Sequence, residues 1–322
     1  MQYRRLEKLG IEVSAFGIGC MRFPMKDDGQ GGREVDESIS TPIIRHAIDN
    51  GLNYVDTAYV YSDKKNEKAV AHALRDGYRE KVYLATKIPT WDIHSPEDMD
   101  RLLAEQLANL ETDHIDFYLV HSLNKGTWAK VRDLGIRDFL TKAKAEGKIK
   151  YACFSFHDNY DTFIDIIDSY DWDMCQIQFN YMDIENQATQ KGLEYAGKKG
   201  IPVVIMEGLL GGKLAKAPDN VQALYDAFPV KRSPVEWAFR WLCNHPEVAT
   251  VLSGVTSMEQ CDDNLSIFDR CKVGVMTEAE EELIARVREA YKSRTKVGCT
   301  GCRYCMPCPN GVDIPRIFAI WN

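Results

Sequence analysis

No stretch of the chain approaches the ~20 consecutive apolar residues that a membrane-spanning helix needs. Met1 to Gly10 is charged and holds no apolar signal core. Lysine and arginine form no run, and the net charge of −8 comes from interspersed residues of both signs, which argues against a nucleic-acid surface. There is no low-complexity segment. Two glycine motifs are incomplete: Gly17-Ile18-Gly19 lacks the third glycine of a Rossmann fingerprint, and Gly208 to Lys213 misses the P-loop spacing. These absences lead to the expectation of a soluble, cytoplasmic protein that needs neither membrane nor nucleic acid.

What is present suits one large globular unit. The 322 residues are 45% apolar and 27% charged, enough to bury a sizeable core without metal or disulfide. Ten cysteines are unevenly spread. Cys20, Cys153, Cys175, Cys243, Cys261 and Cys271 are scattered, several in apolar runs where a thiol acts as a small hydrophobe. The other four lie between 299 and 308. A secreted disulfide scaffold would be shorter and would space its cysteines along the whole chain.

Eight short apolar runs read as strands buried on both faces: Phe16–Gly19, Tyr54–Val55, Val82–Thr86, Phe117–Val120, Tyr151–Phe154, Met174–Gln178, Val203–Met206 and Thr250–Leu252. Amphipathic helices alternate with them. Thr41-Pro42 reads as the start of the first helix and Asn50-Gly51 as its end. Ser95-Pro96 and Ser233-Pro234 open two more, and Thr277 with Glu280 forms a capping box before the last. Eight strand–helix units of roughly 30 residues predict an α/β fold, a (β/α)8 TIM barrel. Tyr3–Glu7 and Ile11–Ser14 read as an N-terminal β-hairpin capping its bottom. Residues 1–295 form the expected barrel, and 296–322 a Cys-rich C-terminal tail.

Three successive strands run into a charged or basic residue: Asp56, Lys87 and His121. In a barrel such strand ends converge on one rim, which carries the chemistry. Tyr61, five residues after Asp56, can reach the same rim from its loop. A phenol is a poor acid or base near neutrality. A nearby ammonium stabilises its phenolate, and a carboxylate would hold that ammonium. Tyr61 could then protonate a carbonyl oxygen while His121 orients it.

Here the chain resembles the aldo/keto reductases. Asp56-Thr57-Ala58-Tyr59-Val60-Tyr61, Thr86-Lys87 and Val120-His121 look like that family's catalytic segments in order, over roughly residues 3 to 291. The resemblance implies reduction of a carbonyl to an alcohol, or the reverse, with NADP(H) or NAD(H). It also implies that Ser155 and Gln176 hold the nicotinamide amide, and that Gly208 to Lys213 passes over the pyrophosphate. Gly254, Thr256, Gln260 and Asn264 would hold the adenosine half, at a helix start suited to phosphate. Met206 stands where many members stack an aromatic ring, and Gly254 and Gln260 stand where many place cations on the 2′-phosphate. Family habit still favours NADP(H).

The tail Cys299-x2-Cys302-x2-Cys305-x2-Cys308-Pro309 resembles the bacterial ferredoxin motif and implies a 4Fe-4S cluster, with structural zinc as the alternative. Ferredoxins place three residues before their fourth cysteine. Cys308 is therefore the least secure ligand, with Cys20 or Cys271 as replacements. An electron-transfer partner, or a non-catalytic redox sensor, are the alternative readings. Tyr59, Trp91, Asn124, Trp128, Phe156 and His157 are candidates for the wall of a small-molecule site, and none of them names the substrate.

Overall fold

A computed structural model describes residues 1–29, 31–294 and 305–321. The chain opens with an antiparallel hairpin, β1 (Tyr3–Leu6) and β2 (Ile11–Ser14), followed by β3 (Phe16–Gly19). A second small hairpin, β4 (Met25–Asp27) and β5 (Arg33–Val35), follows. The remaining strands are β6 (Tyr54–Asp56), β7 (Tyr83–Ile88), β8 (Ile115–Leu123), β9 (Ile149–Phe156), β10 (Met174–Gln178), β11 (Val203–Met206) and β12 (Val248–Ser253). Strands β3 and β6 to β12 pair in parallel, and β12 returns to pair with β3, so the sheet closes into an eight-stranded barrel.

The strands are short and apolar because both faces are covered. Inside the barrel, Tyr54, Phe117, Met174, Val204 and Ala249 pack with Leu6 and Val13 of the first hairpin, which thereby plugs the bottom. A larger core lies between the outer face of the barrel and its helices. Gly17 is required by packing: a Cβ there would stand 2.9 Å from Leu252 Cδ2 and 3.0 Å from Thr250 Oγ1. No side chain from the described part of the tail, residues 305–321, belongs to either core, although the tail holds a helix, Ile314–Trp321.

All eight expected barrel strands are present, and the helices after Ser95, Ser233 and Thr277 begin at those caps. The first helix differs. It spans Glu37–Asp49, with Asp36 accepting from the Ser38 N–H, so Pro42 lies inside it and does not open it. As the sixth helical residue Pro42 lies past the first-turn N–H groups that lack partners, so the helix gives up the bond to the Ser38 carbonyl there. The hairpin β4–β5 has no counterpart among the expected elements, since its charged, glycine-rich segment carries no apolar alternation. Among the described residues, no helix is long and apolar enough to cross a membrane.

Candidate active site

The C-terminal ends of the strands surround a cavity of about 700 Å³. Asp56 ends β6, Lys87 is next to last in β7, and His121 lies near the end of β8. Tyr61 enters from the loop after β6, which turns sharply: Ser62, Asp63 and Lys64 have φ values of 50°, 54° and 67°. Left-handed backbone at three successive non-glycine residues is strained. Neighbours hold it there. The Asn66 N–H donates to the Tyr61 carbonyl at 3.3 Å, and Lys65 Nζ donates to Asp28 Oδ2 at 2.9 Å and to the Arg33 carbonyl at 2.7 Å. The second hairpin is therefore a buttress for the Tyr61 loop.

Lys87 is 1% exposed and uses all three ammonium protons. It donates to Asp56 Oδ1 at 2.7 Å, to the Thr57 carbonyl at 2.7 Å and to the Tyr61 phenol oxygen at 3.2 Å. Since the ammonium donates to that oxygen, the phenol's own proton is left for another acceptor. Burial works against the Lys87 charge, but the adjacent Asp56 and Tyr61 outweigh it and hold its pKa above the usual value. Burial raises Tyr61 as well; Lys87 opposes this only in part and Asp56 adds to it. The expected stabilisation of the phenolate is thus smaller than the desolvation, and Tyr61 stands as the protonated acid.

His121 is driven the other way. Burial, then the charge of Lys87 and the nearness of His157, lower its pKa to about 3, so the imidazole is neutral. Its ring lies 6.2 Å from Tyr61, edge-on, and 5.1 Å from Trp91. The next residue, Ser122, has φ 55°, and its N–H donates to Ser155 Oγ at 2.8 Å. Ser155 therefore braces His121 and keeps its hydroxyl proton available to the cavity.

Ser155, Gln176, Met206, Gly208, Gly254, Thr256 and Gln260 all line the cavity. Lys213 and Asn264 do not. Lys213 is exposed outside it, and Asn264 Nδ2 donates to Ser253 Oγ at 2.9 Å behind it. Gln260 folds back: its Oε1 accepts from the Thr256 N–H at 2.9 Å and the Thr256 hydroxyl at 3.1 Å, shaping the turn before the helix Met258–Phe268. Gly208 is fixed by packing, since a Cβ would stand 2.8 Å from Leu242 Cδ1. Three residues lining the cavity carry a buried polar atom with no partner among the described residues: Asp56 Oδ2, His121 Nδ1 and Gln176 Oε1. Buried polar atoms are ordinarily satisfied, so these fit a polar ligand bearing an amide and a carbonyl or hydroxyl.

The wall differs from expectation. Of the six candidates only His157 lines the cavity, while Trp91 packs on His121 at its edge. Tyr59 donates to Glu105, Asn124 caps the helix Lys125–Asp133, and Trp128 and Phe156 pack on Trp172 and Phe163. Arg22 belongs to the site without any signal in the sequence. It follows β3 on a short turn, Cys20–Arg22, and makes no ion pair among the described residues. Its side chain lies along Gly254, with Cβ 3.6 Å from where a Cβ of that glycine would be, and its Nη2 lies 3.6 Å from the same point on Gly211. A cation thus stands between the two loops expected to hold phosphates, but from the first strand and not the eighth.

The four tail cysteines are only partly visible. Cys305 is exposed and Cys308 half-buried, while Cys299 and Cys302 lie outside the described residues. Cys20 and Cys271, the expected replacements for Cys308, are buried in the barrel core at 0% and 1% exposed.

A buried, hydrogen-bonded lysine–tyrosine pair thus lies on the C-terminal rim of a (β/α)8 barrel, the face on which such barrels carry their active sites. The aldo/keto reductase family model matches residues 15–274, and the chain belongs to that family. The uncharacterized oxidoreductase YrpG of Bacillus subtilis is 26% identical, the match covering 84% of this chain and 91% of that protein. Protein tas of Escherichia coli is 23% identical over 92% of this chain and 99% of its own. Among solved structures, the holo form of aldo-keto reductase AKR11C1 from Bacillus halodurans superposes with a TM-score of 0.75 at 23% identity, covering 89% of this chain and 96% of that one. An aldo/keto reductase from Klebsiella pneumoniae in complex with NADP and acetate gives 0.71 at 21%, with the same coverage.

Proposed function

We propose that this protein reduces the carbonyl group of an aldehyde or ketone to an alcohol with NADP(H), and runs the reverse oxidation. The observation that carries the reading is the Lys87 ammonium bonded to Asp56, Thr57 and Tyr61 at the floor of the cavity. When bound, the nicotinamide supplies the hydride to the carbonyl carbon. As the C–O π pair moves onto oxygen, Tyr61 transfers its free proton there, and Lys87 stabilises the phenolate left behind. Neutral His121 orients the carbonyl oxygen. Gln176 Oε1 and Ser155 would hold the nicotinamide amide, and Met206 would stand in for the aromatic ring that many members stack on it.

Arg22, with Gly211, Gly254 and Thr256, would hold the phosphates. The choice of NADP(H) over NAD(H) draws support from this cation and from the NADP in the Klebsiella relative. Replacement of Tyr61 by Phe should lower turnover by at least about 100-fold while NADPH still quenches protein fluorescence. Undiminished turnover in that variant overturns the assignment.

A second reading concerns residues 296–322, which would form a separate module in which Cys299, Cys302, Cys305 and Cys308 bind a 4Fe-4S cluster. Two features favour it. The six other cysteines are buried in the barrel, whereas Cys305 and Cys308 are accessible. Four thiols at two-residue gaps also suit a compact cluster better than separate zinc knuckles. Iron and sulfide analysis of anaerobically purified protein should find four of each; stoichiometric zinc without iron overturns this reading.

A further inference from the structure

One buried carboxylate has no part in the chemistry above. Glu67, at the start of the helix Asn66–Ala73, is 0% exposed, and no cation lies within ion-pair distance of it among the described residues. Burial pushes its pKa up, and hydrogen bonds from three donors oppose that. The Thr86 hydroxyl and Gln106 Nε2 donate to Oε1 at 2.7 and 2.8 Å, and Asn109 Nδ2 donates to Oε2 at 3.1 Å. Gln106 and Asn109 present amines to this carboxyl, and among these three partners only the Thr86 hydroxyl could turn to accept a proton from it. Such a group is costly to bury, and an apolar side chain would pack there more cheaply.

The network's connections explain its placement. Gln106 Nε2 also donates to the Lys87 carbonyl at 3.1 Å, its Oε1 accepts from the buried Tyr118 hydroxyl at 2.7 Å, and Thr86 is the residue before Lys87. Glu67 thereby fixes the backbone on both sides of Lys87. Its neighbour Asn66 fixes the other member of the pair, with its N–H on the Tyr61 carbonyl and its Oδ1 accepting from the Thr57 hydroxyl at 2.7 Å. Thr57 is the residue whose carbonyl binds the Lys87 ammonium. Two consecutive residues thus hold both partners of the reaction centre from behind.

We infer that Glu67 is a positioning residue, which sets the Lys87–Tyr61 contact through Thr86 and Gln106, in register with Asn66. The inference rests on the proposed carbonyl reduction. Glu67→Gln keeps the shape and the acceptor toward Thr86 and Gln106, but turns an amine toward the Asn109 amine. The full-length variant should lose on the order of 10- to 100-fold in kcat, the scale of an ångström-sized misplacement. Its KM for the carbonyl and its fluorescence-measured Kd for NADPH should stay within about twofold, since neither site touches Glu67.

Adding Asn109→Asp restores complementarity and a charge, and should recover most of kcat. An unchanged kcat in E67Q overturns the inference, as does a loss that spreads equally to KM and cofactor binding and is not rescued in E67Q/N109D. A crystal structure of E67Q tests the inference independently of turnover. Lys87 Nζ moving out of hydrogen-bond range of Tyr61 supports it, and an unmoved quartet overturns it. Wild-type protein that binds NADPH but reduces no carbonyl would sink the proposed function while leaving this structural arm standing.

Discussion

His121 shows how the site suppresses a charge where it needs a hydrogen bond. In the unfolded chain its imidazole titrates near 6.5, whereas in the fold burial and Lys87 hold it neutral down to about 3. Below pH 6.5 the unfolded state therefore takes up a proton that the folded state refuses. Folding loses up to about 1.4 kcal/mol per pH unit through that window, and nothing above it. Melting curves of wild type and His121→Asn should accordingly converge as pH falls from 7 to 4, with wild type losing more. Parallel curves would mean that His121 is already charged. Asp56, Lys87 and His121 were legible in the sequence because each ends an apolar run and carries a reactive type. Arg22 and Glu67 were not. The first owes its role to glycines about 190 and 230 residues away in the chain, and the second reads as an ordinary polar residue until Thr86, Gln106 and Asn109 converge on it.

At the level of elements, strands were easier to place than helix starts. Burial on both faces makes each strand an unbroken apolar run, a signal that survives any arrangement of neighbours. The first helix carries two competing start signals five residues apart, Asp36 and Thr41-Pro42, and only the hydrogen bond from the Ser38 N–H to Asp36 decides between them. Asp36→Ala should cost about 1 kcal/mol in urea denaturation, and Thr41→Ala close to nothing. The reverse ranking would move the helix start back to the proline. The hairpin β4–β5 was not legible because charged strands with glycine between them lack the alternation that marks a half-buried sheet. Its role as a buttress for the Tyr61 loop appears only through Lys65.

At the scale of the molecule, the barrel completes both of its cores without the described part of the tail. A chain ending at Arg294 should keep its melting temperature within a few degrees, since no residue of the tail's described part belongs to either core. It should also keep NADPH binding while losing any iron; a melting temperature lowered by ten degrees or more would show that the tail is part of the barrel's stability. Tail composition was legible, but its relation to the barrel was not, because four close cysteines define a ligand set and no packing partner. The sealing of Lys87 reaches beyond catalysis. With 1% of its surface exposed and every ammonium proton engaged, this lysine offers no lone pair to acylating reagents or to lysine acetyltransferases. The reaction centre is thereby insulated from the modifications by which exposed lysines are switched on and off.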